Sequence, residues 1–91
     1  MPRVGAPGRK RPRSSARAAP EVVTALKRLG KRMRALREDR GLTQQEAAEA
    51  ARLDDKHWGD LERGLSNTTV ATLVAIGKAL RVSVSDLLEG I

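Results

Sequence analysis

Several residue types that often carry chemistry are missing, or nearly missing, from this 91-residue chain. The chain has no cysteine, tyrosine or phenylalanine, and it has one histidine and one tryptophan. Without cysteine, neither a disulfide framework nor a thiolate metal site can form. No apolar run approaches the roughly 18 residues of a membrane span, and the start of the chain lacks the apolar core of a signal peptide. We therefore expect a single small domain that is soluble, cytoplasmic and without a membrane partner.

The same scarcity argues against catalysis. The sequence offers no nucleophile with a neighbouring base, no set of metal ligands and no glycine-rich loop for phosphate. Its carboxylates are explained as helix caps, ion pairs or surface charges. We expect a protein that is not an enzyme and that uses no metal and no cofactor.

Positive charge is concentrated at the start of the chain. The net charge is +7, to which residues 1–20 contribute +6, residues 21–41 contribute +4 and residues 42–91 contribute −3. A polyanion would be attracted mainly to the first 41 residues, since the remainder is acidic on balance.

Residues 1–19 hold three of the four prolines and almost no bulky apolar side chains. This composition predicts a disordered basic arm. The arm either contacts nucleic acid, along phosphates or in a minor groove, or serves as a solubilising tail. A nuclear localisation signal is a weaker interpretation of the same residues. Its main cluster of cations is Arg9, Lys10, Arg11, Arg13 and Arg17.

A long helix is predicted from Pro20 to Asp39. Proline suits the first turn of a helix. Apolar residues then recur at intervals of four and three, as they do along one face of a helix. Two of them, Val22 and Leu26, precede the part that a small domain covers. They form either a dimer contact or a packing contact with the last helix, near Leu87, Leu88 and Ile91.

The segment from Thr43 to Gly64 is typical of two short helices joined by a tight turn. Thr43 and Glu46 have the spacing of a capping box, and Asp54 is placed to cap the second helix. The apolar side chains of that second helix, Trp58 and Leu61, lie three residues apart, so both face inward.

These segments, taken in order, resemble the Cro/C1-type helix-turn-helix family of phage and bacterial repressors, the lambda-repressor-like DNA-binding domains. LGKRMRALREDRGLTQQEAA (29–48) looks like the first helix and the lead into the second, and LERG (61–64) like the end of the recognition helix. TLVAIGKALRVSVSDLL (72–88) looks like the last two helices. The resemblance implies an all-α, compact five-helix domain over residues 20–91, with helices at about 20–39, 43–51, 54–63, 69–80 and 84–89.

The resemblance also implies which residues meet double-stranded DNA. Members of the family read bases from the second helix of the motif, and here that helix offers Asp55, Lys56, His57 and Asp60. Phosphate contacts are expected from the start of the first motif helix, the end of the second and the following loop: Gln44, Arg63, Ser66, Asn67 and Thr68. A partly buried ion pair between Arg37 and Glu62 is expected to hold the motif together.

Five features of the sequence affect this interpretation. Arg52 stands in the turn where the family prefers glycine, so it either adopts a left-handed conformation or changes the turn. Trp58 replaces a smaller aliphatic residue and is expected in the core. Gly59, inside a helix, suggests close approach either of DNA or of a neighbouring helix. The loop 65–69 lacks cations, and the recognition helix is acidic.

Two functions remain open. The first is a sequence-specific transcriptional regulator of bacterial or phage origin, most simply a nucleoid-associated repressor, that binds a pseudo-palindromic operator as a homodimer. The second is a protein-interaction module, such as an antitoxin or adaptor. Its acidic recognition helix would engage a partner protein, and its arm would bind nucleic acid without sequence preference.

Overall fold

The computed structural model describes residues 19–91, which form five α-helices and, within that range, no strand. The helices are α1 (Pro20–Asp39), α2 (Gln44–Ala51), α3 (Asp55–Glu62), α4 (Val70–Leu80) and α5 (Val84–Leu87). The predicted all-α class is confirmed. The bounds agree closely with the prediction, except that α5 ends at Leu87 instead of residue 89. The predicted arm, including Arg9, Lys10, Arg11, Arg13 and Arg17, lies outside the described residues.

Polar side chains begin four of the five helices. The Thr43 hydroxyl accepts the Glu46 N–H, and the Glu46 carboxylate accepts the Thr43 N–H in return, so α2 starts with the predicted capping box. The Asp54 carboxylate accepts the His57 N–H at 2.7 Å and caps α3. Thr69 and Ser83 cap α4 and α5 in the same way. Each cap satisfies a backbone donor that has no partner inside its helix.

The turn between α2 and α3 is left-handed at Arg52, with φ 60° and ψ 38°. This is the first of the two conformations that the sequence left open. A side chain in this region costs about 1 kcal/mol relative to glycine. Arg81 ends α4 with nearly the same angles, which the sequence did not indicate. Both arginines therefore terminate helices in a role that glycine usually fills.

The core lies where α1, α2 and α3 meet α4 and α5. Trp58 is fully buried, so its predicted place in the core is confirmed. The other buried apolar residues are Leu29, Met33, Ala47, Ala48, Ala51, Leu61, Ile76, Leu80 and Leu87. Val70 and Val74 lie outside the core and are 73% and 42% exposed. They lie one turn apart on the side of α4 that the core does not cover, whereas Leu73 packs against the core.

Gly30 of α1 lies directly against the end of α3. A Cβ on this glycine would lie 2.7 Å from the Leu61 carbonyl oxygen and would overlap the Glu62 carbonyl. Because only a glycine fits, α1 can cross directly over the end of α3. Gly77 similarly leaves room for the Val82 carbonyl oxygen, which a Cβ there would approach to 2.8 Å.

Within residues 19–91, no helix has the length and apolar character needed to cross a membrane. The same part of the chain contains no group of three or more His, Asp or Glu side chains arranged to hold a metal ion.

Candidate nucleic-acid interface

The predicted partners Arg37 and Glu62 form an ion pair in the interior of the motif. Arg37 Nε donates to Glu62 Oε2 at 2.6 Å, and Arg37 Nη2 donates to Oε1 at 3.1 Å. The two side chains are only 11% and 3% exposed. Arg37 Nη1 also donates to the Leu42 carbonyl oxygen, which fixes the segment leading into α2. The pair thus connects α1, the α1–α2 connection and α3.

Two further donors reach the same carboxylate. Gln44 Nε2 donates to Glu62 Oε1 at 2.9 Å, and Trp58 Nε1 donates to Oε2 at 2.6 Å. Glu62 therefore accepts four hydrogen bonds, two on each oxygen. Burial by itself raises the Glu62 pKa, but the hydrogen bonds from Arg37, Gln44 and Trp58 outweigh it and hold the pKa below its ordinary value. A charged Glu62 is consequently part of the fold.

This network orients Gln44, a predicted phosphate contact at the first turn of α2. One N–H of its amide is used by Glu62, so a phosphate would take the other N–H. The start of α2 adds backbone donors and the positive end of the helix dipole. The network therefore presents the start of α2 in a fixed position.

A shallow concavity separates the start of α2 from the exposed side of α3. It brings together Gln44 and Arg63, expected to contact phosphate, with Asp55 and Lys56, expected to contact bases. Arg37 and Gly59 form its floor. Thr43 and Gln45 also line it, although neither was predicted from the sequence to contact DNA. The position of Gln45, next to Gln44 in the first helical turn, was the signal that could have identified it.

The fourth predicted base contact, Asp60, lies beside this concavity and holds two of its cations. Asp60 Oδ1 accepts Arg63 Nη2 at 2.7 Å, and Asp60 Oδ2 accepts Lys56 Nζ at 3.3 Å. The hydrogen bonds from Lys56 and from Arg63 lower the Asp60 pKa, and both positive charges act in the same direction. The carboxylate therefore remains charged at neutral pH.

The remaining predicted contacts lie elsewhere. His57 is half-buried and does not line the concavity. In the loop after α3, the Asn67 side chain accepts the Thr68 N–H, and the hydroxyls of Ser66 and Thr68 donate to neighbouring carbonyl oxygens. These local bonds shape the loop.

Gly59 does not serve helix packing, so that alternative for it is wrong. The nearest atoms to a Cβ placed there belong to the guanidinium of Arg63, at 3.3 to 3.8 Å. The arginine side chain lies across the bare backbone at Gly59. Close helix packing applies instead to Gly30, a residue of α1 that lies against the end of α3.

The concavity and the exposed side of α3 beside it thus present amide donors, the cations of Lys56 and Arg63, and the carboxylates of Asp55 and Asp60. Such a surface matches the major groove of duplex DNA, which admits one helix and presents both acceptors and donors on base edges. Phosphate is matched by the start of α2.

Comparison with known proteins agrees with this geometry. Residues 28–89 match a family model described as a helix-turn-helix domain. The chain is 39% identical over 64 residues to the HTH-type transcriptional regulator DdrOP3 of Deinococcus deserti, covering 70% of this chain and 50% of that protein. It is 39% identical over 59 residues to the immunity repressor protein of Bacillus phage phi105, covering 65% of this chain and 41% of that protein. The aligned region is thus half or less of these two relatives.

Solved structures show the same fold. The restriction-modification controller protein C.AhdI from Aeromonas hydrophila superposes with a TM-score of 0.67 at 32% identity, covering 68% of this chain and 94% of that one. The clp gene regulator ClgR from Corynebacterium glutamicum superposes with a TM-score of 0.68 at 36% identity, covering 70% and 68% of the two chains. These proteins are regulators, in agreement with the prediction that the chain is not an enzyme. The chain belongs to the helix-turn-helix domain family, and its resemblance to the Cro/C1-type regulators is confirmed.

Proposed function

We propose that this protein binds double-stranded DNA at a specific sequence and represses transcription by occupying its operator as a homodimer. The observation that carries the proposal is the concavity between α2 and α3. There the predicted phosphate contacts Gln44 and Arg63 lie beside the predicted base contacts Asp55 and Lys56. The names of two relatives, a transcriptional regulator and an immunity repressor, support the same role.

In the proposed complex, α3 enters the major groove while the start of α2 rests on the backbone. Lys56 has the donors needed for guanine O6 and N7, and an aspartate accepts from cytosine N4 or adenine N6. Gln44 and the α2 amides hold a phosphate, which sets the position of α3 without reading sequence. The basic arm adds affinity that falls as salt rises.

Dimerisation is supported by apolar side chains around the first half of α1. Leu65, Leu88 and Ile91 are 63%, 36% and 44% exposed. Ile91 shares a concavity with Pro20 and Ala25, and Val22 and Leu26 are half-buried but do not belong to the core.

The C-terminal turn itself meets α1 through Arg28 and Arg32, which donate to the carbonyl oxygens of Gly90 and Asp86. We propose that a second copy covers the neighbouring apolar side chains. In this arrangement two α3 helices would be spaced for half-sites about one helical turn apart.

The acidity of α3 favours one second candidate, a module that engages a protein and binds nucleic acid only through its arm. The observation behind it is that Lys56 and Arg63 are both already paired with Asp60. The two candidates make different predictions for sequence preference, so one experiment separates them.

The experiment is selection of bound duplexes from a random DNA pool near physiological salt. It compares the wild-type chain with a full-length variant in which Arg9, Lys10, Arg11, Arg13 and Arg17 are replaced by glutamine. A dyad-symmetric motif common to both proteins supports the regulator. Binding without any motif, lost in the arm variant, contradicts it and supports the protein-interaction module.

A companion measurement addresses the dimer. Leu65→Ser and Leu88→Ser, combined in one full-length chain, should shift the sedimentation behaviour from dimer to monomer. The affinity for a two-half-site duplex should fall, while binding to an isolated half-site is kept. A wild-type protein that sediments as a monomer, both free and on the two-half-site duplex, contradicts the homodimer.

A further inference from the structure

The exposed side of α3 carries two cations, and in the free protein both are bound by one carboxylate. Asp60 uses one oxygen for Arg63 at 2.7 Å and the other for Lys56 at 3.3 Å. The Asp60 side chain is 27% exposed, compared with 83% for Lys56 and 57% for Arg63. Each cation is therefore reachable from solvent while its charge is paired.

The backbone of α3 is shaped to fit this arrangement. Gly59 precedes Asp60, and a Cβ there would lie 3.3 Å from Arg63 Nη1, tighter than an ordinary contact. Glycine inside a helix costs about 0.5–1 kcal/mol relative to alanine. Its absence of a side chain lets the guanidinium lie across the helix and reach Asp60. We name the arrangement of Lys56, Gly59, Asp60 and Arg63 the α3 clasp.

The α3 clasp has a consequence for any duplex that approaches. A phosphate attracts Lys56 and Arg63, but Asp60 competes with it for both cations, and the carboxylate itself repels a polyanion. The edge of a base in the major groove can either offset or increase the repulsion of the Asp60 carboxylate. Cytosine N4 and adenine N6 present amino groups in the major groove, whereas guanine O6 and thymine O4 present acceptors that repel a carboxylate.

We propose that Asp60 determines specificity by withholding Lys56 and Arg63 from phosphates on most sequences. The α3 clasp opens where a base amino group lies opposite the carboxylate, so that both cations can then bind DNA. This inference rests on the proposed sequence-specific binding. Asp60 therefore both contacts one base and lowers the affinity for nonspecific DNA.

The test compares full-length wild type with Asp60→Asn and with Glu49→Gln. Glu49 is exposed on α2, does not line the concavity and forms no ion pair within residues 19–91. Glu49→Gln thus makes the same change in net charge without freeing a cation. Binding constants are measured for the selected duplex and for a scrambled duplex between about 50 and 200 mM KCl, a range over which phosphate contacts change affinity strongly.

Asp60→Asn should raise affinity for the scrambled duplex about tenfold relative to Glu49→Gln at the lower salt. It should also steepen the slope of log K against log salt by about one for each freed cation. Affinity for the selected duplex should rise less. The specificity ratio, which is the affinity for the selected duplex divided by that for the scrambled duplex, therefore falls. In a selection experiment, the base preference should relax at one position in each half-site, because asparagine both donates and accepts.

A double-mutant cycle shows whether the freed cations cause the effect. Lys56→Gln together with Arg63→Gln should remove the added salt slope in the Asp60→Asn background. Circular dichroism spectra and unfolding midpoints of all variants establish that each remains folded.

The inference is overturned if Asp60→Asn matches Glu49→Gln in salt slope and in specificity ratio. An unchanged slope with a relaxed base preference also contradicts the withholding of cations. Failure of the proposed function is distinguishable, because the wild-type chain would then show no preferred duplex before any variant is compared.

Discussion

Two carboxylates two residues apart on α3 bind arginine in different ways. Glu62 faces inward, is 3% exposed and accepts hydrogen bonds from Arg37, Gln44 and Trp58. Asp60 faces outward, is 27% exposed and holds Arg63 and Lys56. The pairing of a carboxylate with an arginine holds the fold together at Glu62, whereas at Asp60 the arginine can leave for another partner.

The difference arises from what each cation can do when its partner is removed. An arginine left alone in the interior keeps an uncompensated charge away from water, whereas an arginine on the surface is solvated. A helix only eight residues long can therefore hold the motif together on one side and offer cations to a ligand on the other. Each of the following predictions tests that division.

The largest effect is expected from Glu62→Gln. The glutamine amide has one acceptor oxygen and an NH₂ group, so two of the four donors now at Glu62 would face another donor. We expect a loss of about 3–5 kcal/mol in the free energy of unfolding, measured by urea denaturation. Asp60→Asn, the matched change on the exposed side of α3, should leave the midpoint of urea denaturation unchanged. Equal losses in the two variants would remove the distinction between the carboxylates.

Gly30→Ala tests the inner side of α3 through packing. A methyl group at Gly30 would meet the carbonyl oxygens of Leu61 and Glu62, which cannot move without displacing the end of α3. We expect a destabilisation of about 1–3 kcal/mol. Thermal unfolding measures it, and an unchanged melting temperature would mean that the two helices do not approach this closely.

The stability of the wild-type chain should fall in acid. The Glu62 pKa is lower in the folded protein than in the unfolded chain, so the charged carboxylate stabilises the fold at pH above the unfolded value of about 4.3. This contribution is lost as the pH falls through the lower, folded pKa. Unfolding free energies measured from neutral pH downward should show a smaller decline in Glu62→Gln than in wild type. Parallel curves for the two proteins would mean that Glu62 does not contribute to the loss of stability in acid.

Gly59→Ala should have the smallest effect and the opposite sign to Gly30→Ala. The new methyl would meet only the end of the flexible Arg63 side chain, which can shift by a few tenths of an ångström. Replacing glycine inside a helix then gains about 0.5–1 kcal/mol. Thermal unfolding of Gly30→Ala and Gly59→Ala side by side checks the contrast. A destabilised Gly59→Ala protein would place another structural element against Gly59.

The sequence predicted the helices well because their signals are local. Apolar residues at intervals of three and four, together with caps at Thr43 and Asp54, depend on neighbours within one or two turns. The pairing of Arg37 with Glu62 was expected only from resemblance to a family. The chain's own residues gave no direct sign of it.

The rest could not be predicted because it depends on where separate helices meet. The convergence of Gln44 and Trp58 on Glu62 requires the crossing of α2 and α3, and the role of Gly30 requires the crossing of α1. The exposure of Val70 is likewise a tertiary property, because it depends on which side of α4 the rest of the domain covers.

The central claim is that the exposed side of α3 reads base sequence. It is tested most directly by selecting bound duplexes with full-length wild type and with Lys56→Gln. The account predicts a dyad-symmetric motif in which Lys56→Gln changes the preferred base at the same position of each half-site and keeps the others. An unchanged motif bound more weakly would place Lys56 on a phosphate, and no motif in either protein would contradict sequence reading by this helix.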